Sequence, residues 1–111
     1  MFSVLISNTD DHLRNHGFLY SGNKGWILSP LYDVNPNSDN KQVLSTYITE
    51  YDNSQSIELA FEVSGYFEIS LIEAKNIIES MEKTVRNWRI EAKNIGLSKA
   101  ETEKMESAFK V

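Results

Sequence analysis

The 111-residue sequence contains no cysteine, which excludes disulfides, thiolate nucleophiles and cysteine-bound zinc together. It has only two prolines and five glycines, and no Pro-rich or Gly/Ser-rich tract that would act as a linker, so it reads as one small domain, residues 1–111. No apolar run approaches the roughly 18 residues of a membrane-spanning helix, and no basic region leads into an apolar stretch at the start. The simplest expectation is a cytoplasmic chain with no membrane association. Basic side chains are scarce in the first part: residues 1–70 hold Arg14, Lys24 and Lys41 against nine acids, whereas residues 71–111 hold eight bases against seven acids. The charges are therefore −6 and +1, summing to the overall −5. An acidic front repels phosphate backbones, so direct nucleic-acid binding is not expected. Its carboxylate and amide oxygens suit a hard divalent cation instead.

The residues that are present divide the chain near position 54. Met1–Ser7 is apolar and no helix-start signal precedes it, so it reads as the end of a buried helix and the chain as a piece of something larger. Asn8–His16 is almost wholly polar, a loop or tight turn. Phe18–Tyr20 and Trp26–Leu28 bracket a Ser/Gly/Asn turn and predict a β-hairpin, which Pro30 ends. Val43–Thr49 is rich in β-branched residues and reads as one more strand. From residue 54 the period becomes helical. Ile57, Ala60, Phe61 and Ser64 share a face that Gly65 is expected to stop. Ser70 and Glu73 form a capping-box pattern ahead of Leu71, Ala74, Ile78, Met81, Val85, Trp88, Ala92 and Ile95, whose spacing predicts one long helix ending at Gly96. Ser98 and Glu101 start a last short helix. The fold class expected is α+β, mainly α: a helical bundle with a small antiparallel hairpin region. Residues 1–53 carry the loop and hairpin, residues 54–111 the helices. Trp26 and Trp88 read as core anchors.

Asp10 followed five residues later by Asn15 has the D-x-x-x-x-N spacing of a kinase catalytic loop. Phosphoryl transfer needs a carboxylate to accept the proton of the attacking hydroxyl and an oxygen ligand beside it to hold a metal on the phosphates. A second acidic metal ligand must come from elsewhere, and Asp33 follows the predicted hairpin. The bland alternative is that Asp10 and Asn15 are ordinary turn residues.

The words Asn8-Thr9-Asp10-Asp11-His12-Leu13-Arg14-Asn15 and Ser29-Pro30-Leu31-Tyr32-Asp33-Val34 together resemble the paired signature of HipA-like serine/threonine kinases, T-D-x-H-x-K/R-N and P-x-Y-D, the toxin type of bacterial toxin–antitoxin systems. The helical tail, with Trp88 and the Gly-Leu-Ser turn, resembles the family's C-terminal region, so the likeness covers most of the chain. It implies the C-terminal part of a kinase-like fold that transfers the γ-phosphoryl group of ATP to Ser/Thr with Mg²⁺. Asp10 would be the catalytic base, and Asn15 and Asp33 would bind Mg²⁺ and with it the nucleotide. His12 and Arg14 would support them, His12 by hydrogen bonds that orient the loop. The resemblance further implies an aminoacyl-tRNA synthetase as protein substrate and a DNA-binding antitoxin as partner. The glycine-rich phosphate loop and the phosphate-pairing lysine of such kinases are absent from these 111 residues. Little activity is therefore expected from this chain without an N-terminal kinase lobe.

Two other classes stay open on sequence. A non-catalytic module would bind a partner or complement a separate lobe. A metal-dependent hydrolase would use Asp10, Asp11, His12 and Asp33, or a zinc pair of His12 and His16 at helical spacing. Asp11 otherwise reads as a solvated position, and Tyr32 as a residue that packs beneath Asp33 and aims it.

Overall fold

The computed structural model describes residues 1–111 and is α+β, mainly helical. Helix α1 spans Phe2–Leu5, and strands β1 (Phe18–Tyr20) and β2 (Trp26–Leu28) form the only sheet. Helices α2 (Ile57–Glu62), α3 (Leu71–Val85), α4 (Trp88–Asn94) and α5 (Lys99–Met105) follow. The hairpin is antiparallel with Phe18 opposite Leu28, Leu19 opposite Ile27 and Tyr20 opposite Trp26. Its turn is a short 3₁₀ segment, Gly22–Lys24, which starts at Gly22 and is followed by Gly25, at φ 57° and 70°, a region only glycine enters freely.

The core is small. Leu5, Ile6 and Val85 are buried together, with Phe2, Val34, Ile57, Met81 and Phe109 half-buried against them. Only 14 of 111 residues are buried, and the radius of gyration is 15.6 Å. A compact chain of this length would have a radius of about 13 Å. The elements thus wrap the N-terminal segment loosely and leave much apolar surface facing solvent. Trp26 shows what this means: it is 70% exposed and its one aromatic neighbour is Tyr20, with ring centroids 5.5 Å apart. It is not a core anchor, because both faces of the two-stranded hairpin stand away from the helices. Trp88 does pack, stacked on Phe109 at 4.1 Å.

Three local expectations are corrected. The long helix is broken after Val85. The Asn87 side chain donates to the Lys83 carbonyl at 3.3 Å, taking the acceptor its own N–H would have used, while that N–H turns to Thr84 O at 3.1 Å. A short polar side chain that competes with the backbone tightens and ends the helix there. The apolar stripe therefore fades: Ala74, Val85 and Ala92 are buried, but Leu71 and Ile95 are 61% and 75% exposed.

Val43–Thr49 is not a strand, and only Val43 bridges, to Ser54. The Thr49 hydroxyl accepts from the N–H groups of Tyr51 and Asp52 instead, closing a turn. Gly65 does not stop α2. The chain continues as a 3₁₀ segment, Val63–Phe67, and ends at Glu68 with φ 58°. Ser98 forms the expected full capping box with Glu101, whereas Ser70 accepts from Glu73 N without a returning bond from the Glu73 side chain, so only half of that box forms.

Candidate functional site

Helix α1 ends because Ser7 adopts φ 52°, which throws the chain into the polar loop while Asn8 N–H returns to Ser3 O at 2.8 Å. Ser7, Asn8 and Thr9 are buried although polar, and each position is tied down. Gln55 donates to Val4 O at 2.6 Å and Ser7 Oγ at 2.7 Å. Ser45 gives Thr9 O both its N–H and its hydroxyl, each at 2.9 Å. Asn37 donates to Thr9 Oγ1 at 3.1 Å. Buried polar groups that are satisfied in this way hold one backbone path, since each lost partner would cost about 1–3 kcal/mol. Asp10 emerges from this clamp exposed to solvent.

Asp33 reaches the same place from the other side of the hairpin. It sits at φ 55°, a left-handed conformation that Asp tolerates better than most residues, and Asn35 Nδ2 donates to its Oδ1 at 3.0 Å. The Tyr32 hydroxyl donates to Arg14 O at 2.7 Å, linking the hairpin exit to the polar loop across 18 positions. Tyr32 is thus a tether between the two segments, and it is 45% exposed. Asp10 and Asp33 line one cleft of about 320 Å³, together with Asn8, Asn35, Asn37 and Asp39. Ser38, which also lines it, accepts from the Ser107 hydroxyl through its carbonyl at 3.1 Å. No lysine or arginine lines it.

The other predicted residues lie around this cleft without lining it. Asn15 is buried in the one-turn 3₁₀ segment Leu13–Asn15, its N–H bonded to His12 O at 2.8 Å. The Arg14 side chain is exposed, and its carbonyl does the bonding. His12 is half-buried, but its Nδ1 has no hydrogen-bond partner, so the ring does not orient the loop by hydrogen bonds as expected. Asp11 is not a freely solvated position. It accepts from Ser3 Oγ at 2.6 Å and pairs with His16 Nε2 at 2.8 Å. Asp11 lines a different hollow from Asp10 and Asp33, and no three His, Asp or Glu side chains are grouped to hold a metal by themselves. The hydrolase arrangement and the histidine pair therefore find no geometric support.

The donors around the cleft are carboxylate and amide oxygens, the set a hard cation such as Mg²⁺ takes. The carboxylates of Asp10, Asp33 and Asp39 with the asparagine amides fit a cation whose remaining positions are filled by water and phosphate, in a site that dedicated protein ligands do not saturate. Sequence reasoning missed Asn8, Asn35, Asn37 and Asp39. The Asn-Pro-Asn-Ser-Asp run was visible as turn chemistry, but nothing local said that the turn folds back over Thr9.

Residues 1–88, which include the loop, the hairpin and Asp33, match the family model described as the HipA-like C-terminal domain. No curated protein matches the chain. No solved structure matches it either.

Proposed function

The chain belongs to the HipA-like C-terminal domain family, and from that premise we propose that it supplies the base and metal side of a protein-kinase active site. The observation that supports this most is that Asp10 and Asp33, 23 positions apart, line the same polar cleft. In this reading Asp10 accepts the proton of a serine or threonine hydroxyl as its oxygen bonds to the γ-phosphorus of ATP. The bond from that phosphorus to the bridging oxygen breaks, and ADP leaves. Asp33 and Asn15 would hold Mg²⁺, Asn15 after a shift of the 3₁₀ turn that now buries it. When bound, the ion neutralises charge on the phosphate oxygens. Asn35 fixes the Asp33 carboxylate through Oδ1 and leaves Oδ2 free for the ligand role.

Positioning is most of the work in phosphoryl transfer, and these 111 residues contain no glycine-rich loop or phosphate-pairing lysine. The nucleotide-clamping part is therefore supplied by another segment or chain, and this chain alone is inactive. A DNA-binding antitoxin as partner and an aminoacyl-tRNA synthetase as substrate are the corresponding family proposals.

Calorimetric titration with Mg-ATP tests the reading. Weak binding by the wild-type chain, lost in Asp33→Asn and kept in the exposed-surface control Lys99→Gln, is expected. Failure of the wild-type chain to bind, or equal binding by Asp33→Asn, overturns it. Mg-ATP-dependent phosphorylation by the chain alone, abolished by Asp10→Asn, would refute the inactivity.

A further inference from the structure

Between Lys41 and Lys75 the sequence has no lysine or arginine, yet it has six acids: Glu50, Asp52, Glu58, Glu62, Glu68 and Glu73. The fold gathers this stretch around two adjoining hollows on the side of the N-terminal segment that carries Asp11. One, of about 660 Å³, runs between the turn at Ile48–Tyr51 and the 3₁₀ segment after α2. The other, of about 440 Å³, continues from it toward Phe2 and α3. Ile48, Val63 and Phe67 line both, so they form one continuous groove.

Its surface is apolar and aromatic. Tyr47, Tyr51, Tyr66 and Phe67 are 57%, 88%, 89% and 68% exposed. Glu50 and Glu62 stand among them, Asp11 is at the inner end, and no lysine or arginine side chain lines either hollow. An exposed aromatic patch of this extent marks an interaction surface. Its charge selects the occupant. Nucleic acid and anionic membranes are repelled by the Glu50 and Glu62 carboxylates of the outer hollow. A cationic side chain gains both from Glu50 and Glu62 and from the faces of tyrosine rings.

We propose that this groove is a docking site for a basic amphipathic segment of a partner protein, apolar side chains seated on Ile48, Val63 and Phe67 and Lys or Arg side chains meeting Glu50, Glu62 and the tyrosines. Asp10 and Asp33 line the other cleft, so docking here is independent of the phosphoryl-transfer reading.

The test is a titration of the full chain against labelled synthetic helical peptides, read by fluorescence anisotropy. The first peptide has leucine at i, i+3, i+4 and i+7 and lysine elsewhere. The second replaces lysine by glutamate, and the third scrambles the lysine peptide so that no apolar face remains. The first peptide binds, with affinity that falls as salt rises, and the other two do not. Glu50→Lys with Glu62→Lys weakens it by about tenfold or more, and so does Tyr66→Ala with Phe67→Ala. Asp33→Asn leaves it unchanged. All four groove substitutions are at exposed positions, and circular dichroism confirms that each variant is folded. Equal binding of the scrambled or acidic peptide overturns the proposal. So does binding that ignores both double variants, or no binding of any peptide.

Discussion

Replacing Leu5 by alanine should unfold this protein more readily than replacing Trp26 by alanine, although tryptophan is the far larger side chain. Leu5 is 1% exposed and lies at the centre of the small cluster formed with Ile6 and Val85. Truncation to alanine removes three carbons, and at about 0.8 kcal/mol for each buried methylene the transfer loss is near 2.4 kcal/mol. The half-buried ring of Phe2, Val34, Ile57, Met81 and Phe109 cannot close fully on the gap, so the cavity contribution raises the total to about 3–4 kcal/mol. Trp26 is 70% exposed and contacts one ring, Tyr20. An aromatic pair of that kind contributes about 0.5–1.5 kcal/mol, and little area is lost from water beyond it. Urea unfolding followed by far-ultraviolet circular dichroism gives both values under one condition. A Trp26→Ala loss equal to or greater than that of Leu5→Ala would refute the reasoning, because the hairpin would then be packed on a core that this structure does not contain.

Asn87→Ala should remove the side chain that takes the Lys83 carbonyl and let α3 and α4 join; helix content rises by circular dichroism and stability rises by about 0.5 kcal/mol from propensity. Unchanged helicity would mean that tertiary packing of Trp88 on Phe109, and not the asparagine, sets the break. Glu101 accepts hydrogen bonds from the Ser98 hydroxyl and N–H, which hold its carboxyl below the ordinary 4.5. A depressed folded-state value means that its contribution is complete above pH 4.5 and is lost as pH falls through the lower folded value. The first turn of α5 should then fray in acid. Amide exchange at Glu101 and Thr102 should show this below that pH, and Glu101→Gln should abolish the pH dependence.

The local rules worked where a residue acts on its near neighbours. Ser70 and Ser98 cap their helices because the partners are three residues away, and the hairpin forms because its two apolar triplets flank a glycine-rich turn. They failed where a side chain competed with the backbone for a local hydrogen bond, Asn87 by donating to Lys83 O and Thr49 by accepting from the Tyr51 and Asp52 N–H groups, since propensity and period carry no record of that competition. The site divides the same way. Asp10, Asn15 and Asp33 could be named from spacing and motif, Asp10 and Asn15 five positions apart in one loop and Asp33 after the hairpin. Spacing could not say that Asn15 is buried while Asp10 is exposed.

By itself, then, the sequence determined the mainly helical α+β class, the hairpin, the capped helices and the acidic polar loop, all of which follow from contacts a few residues long. Tertiary structure alone decided that Asn37 closes on Thr9, that Ser45 and Gln55 clamp the loop, and that Asp11 lines a different hollow from Asp33. These pairings join positions 28 to 48 residues apart. Hydrogen bonds over such distances depend on how the small core orients its elements, and no local pattern encodes that orientation.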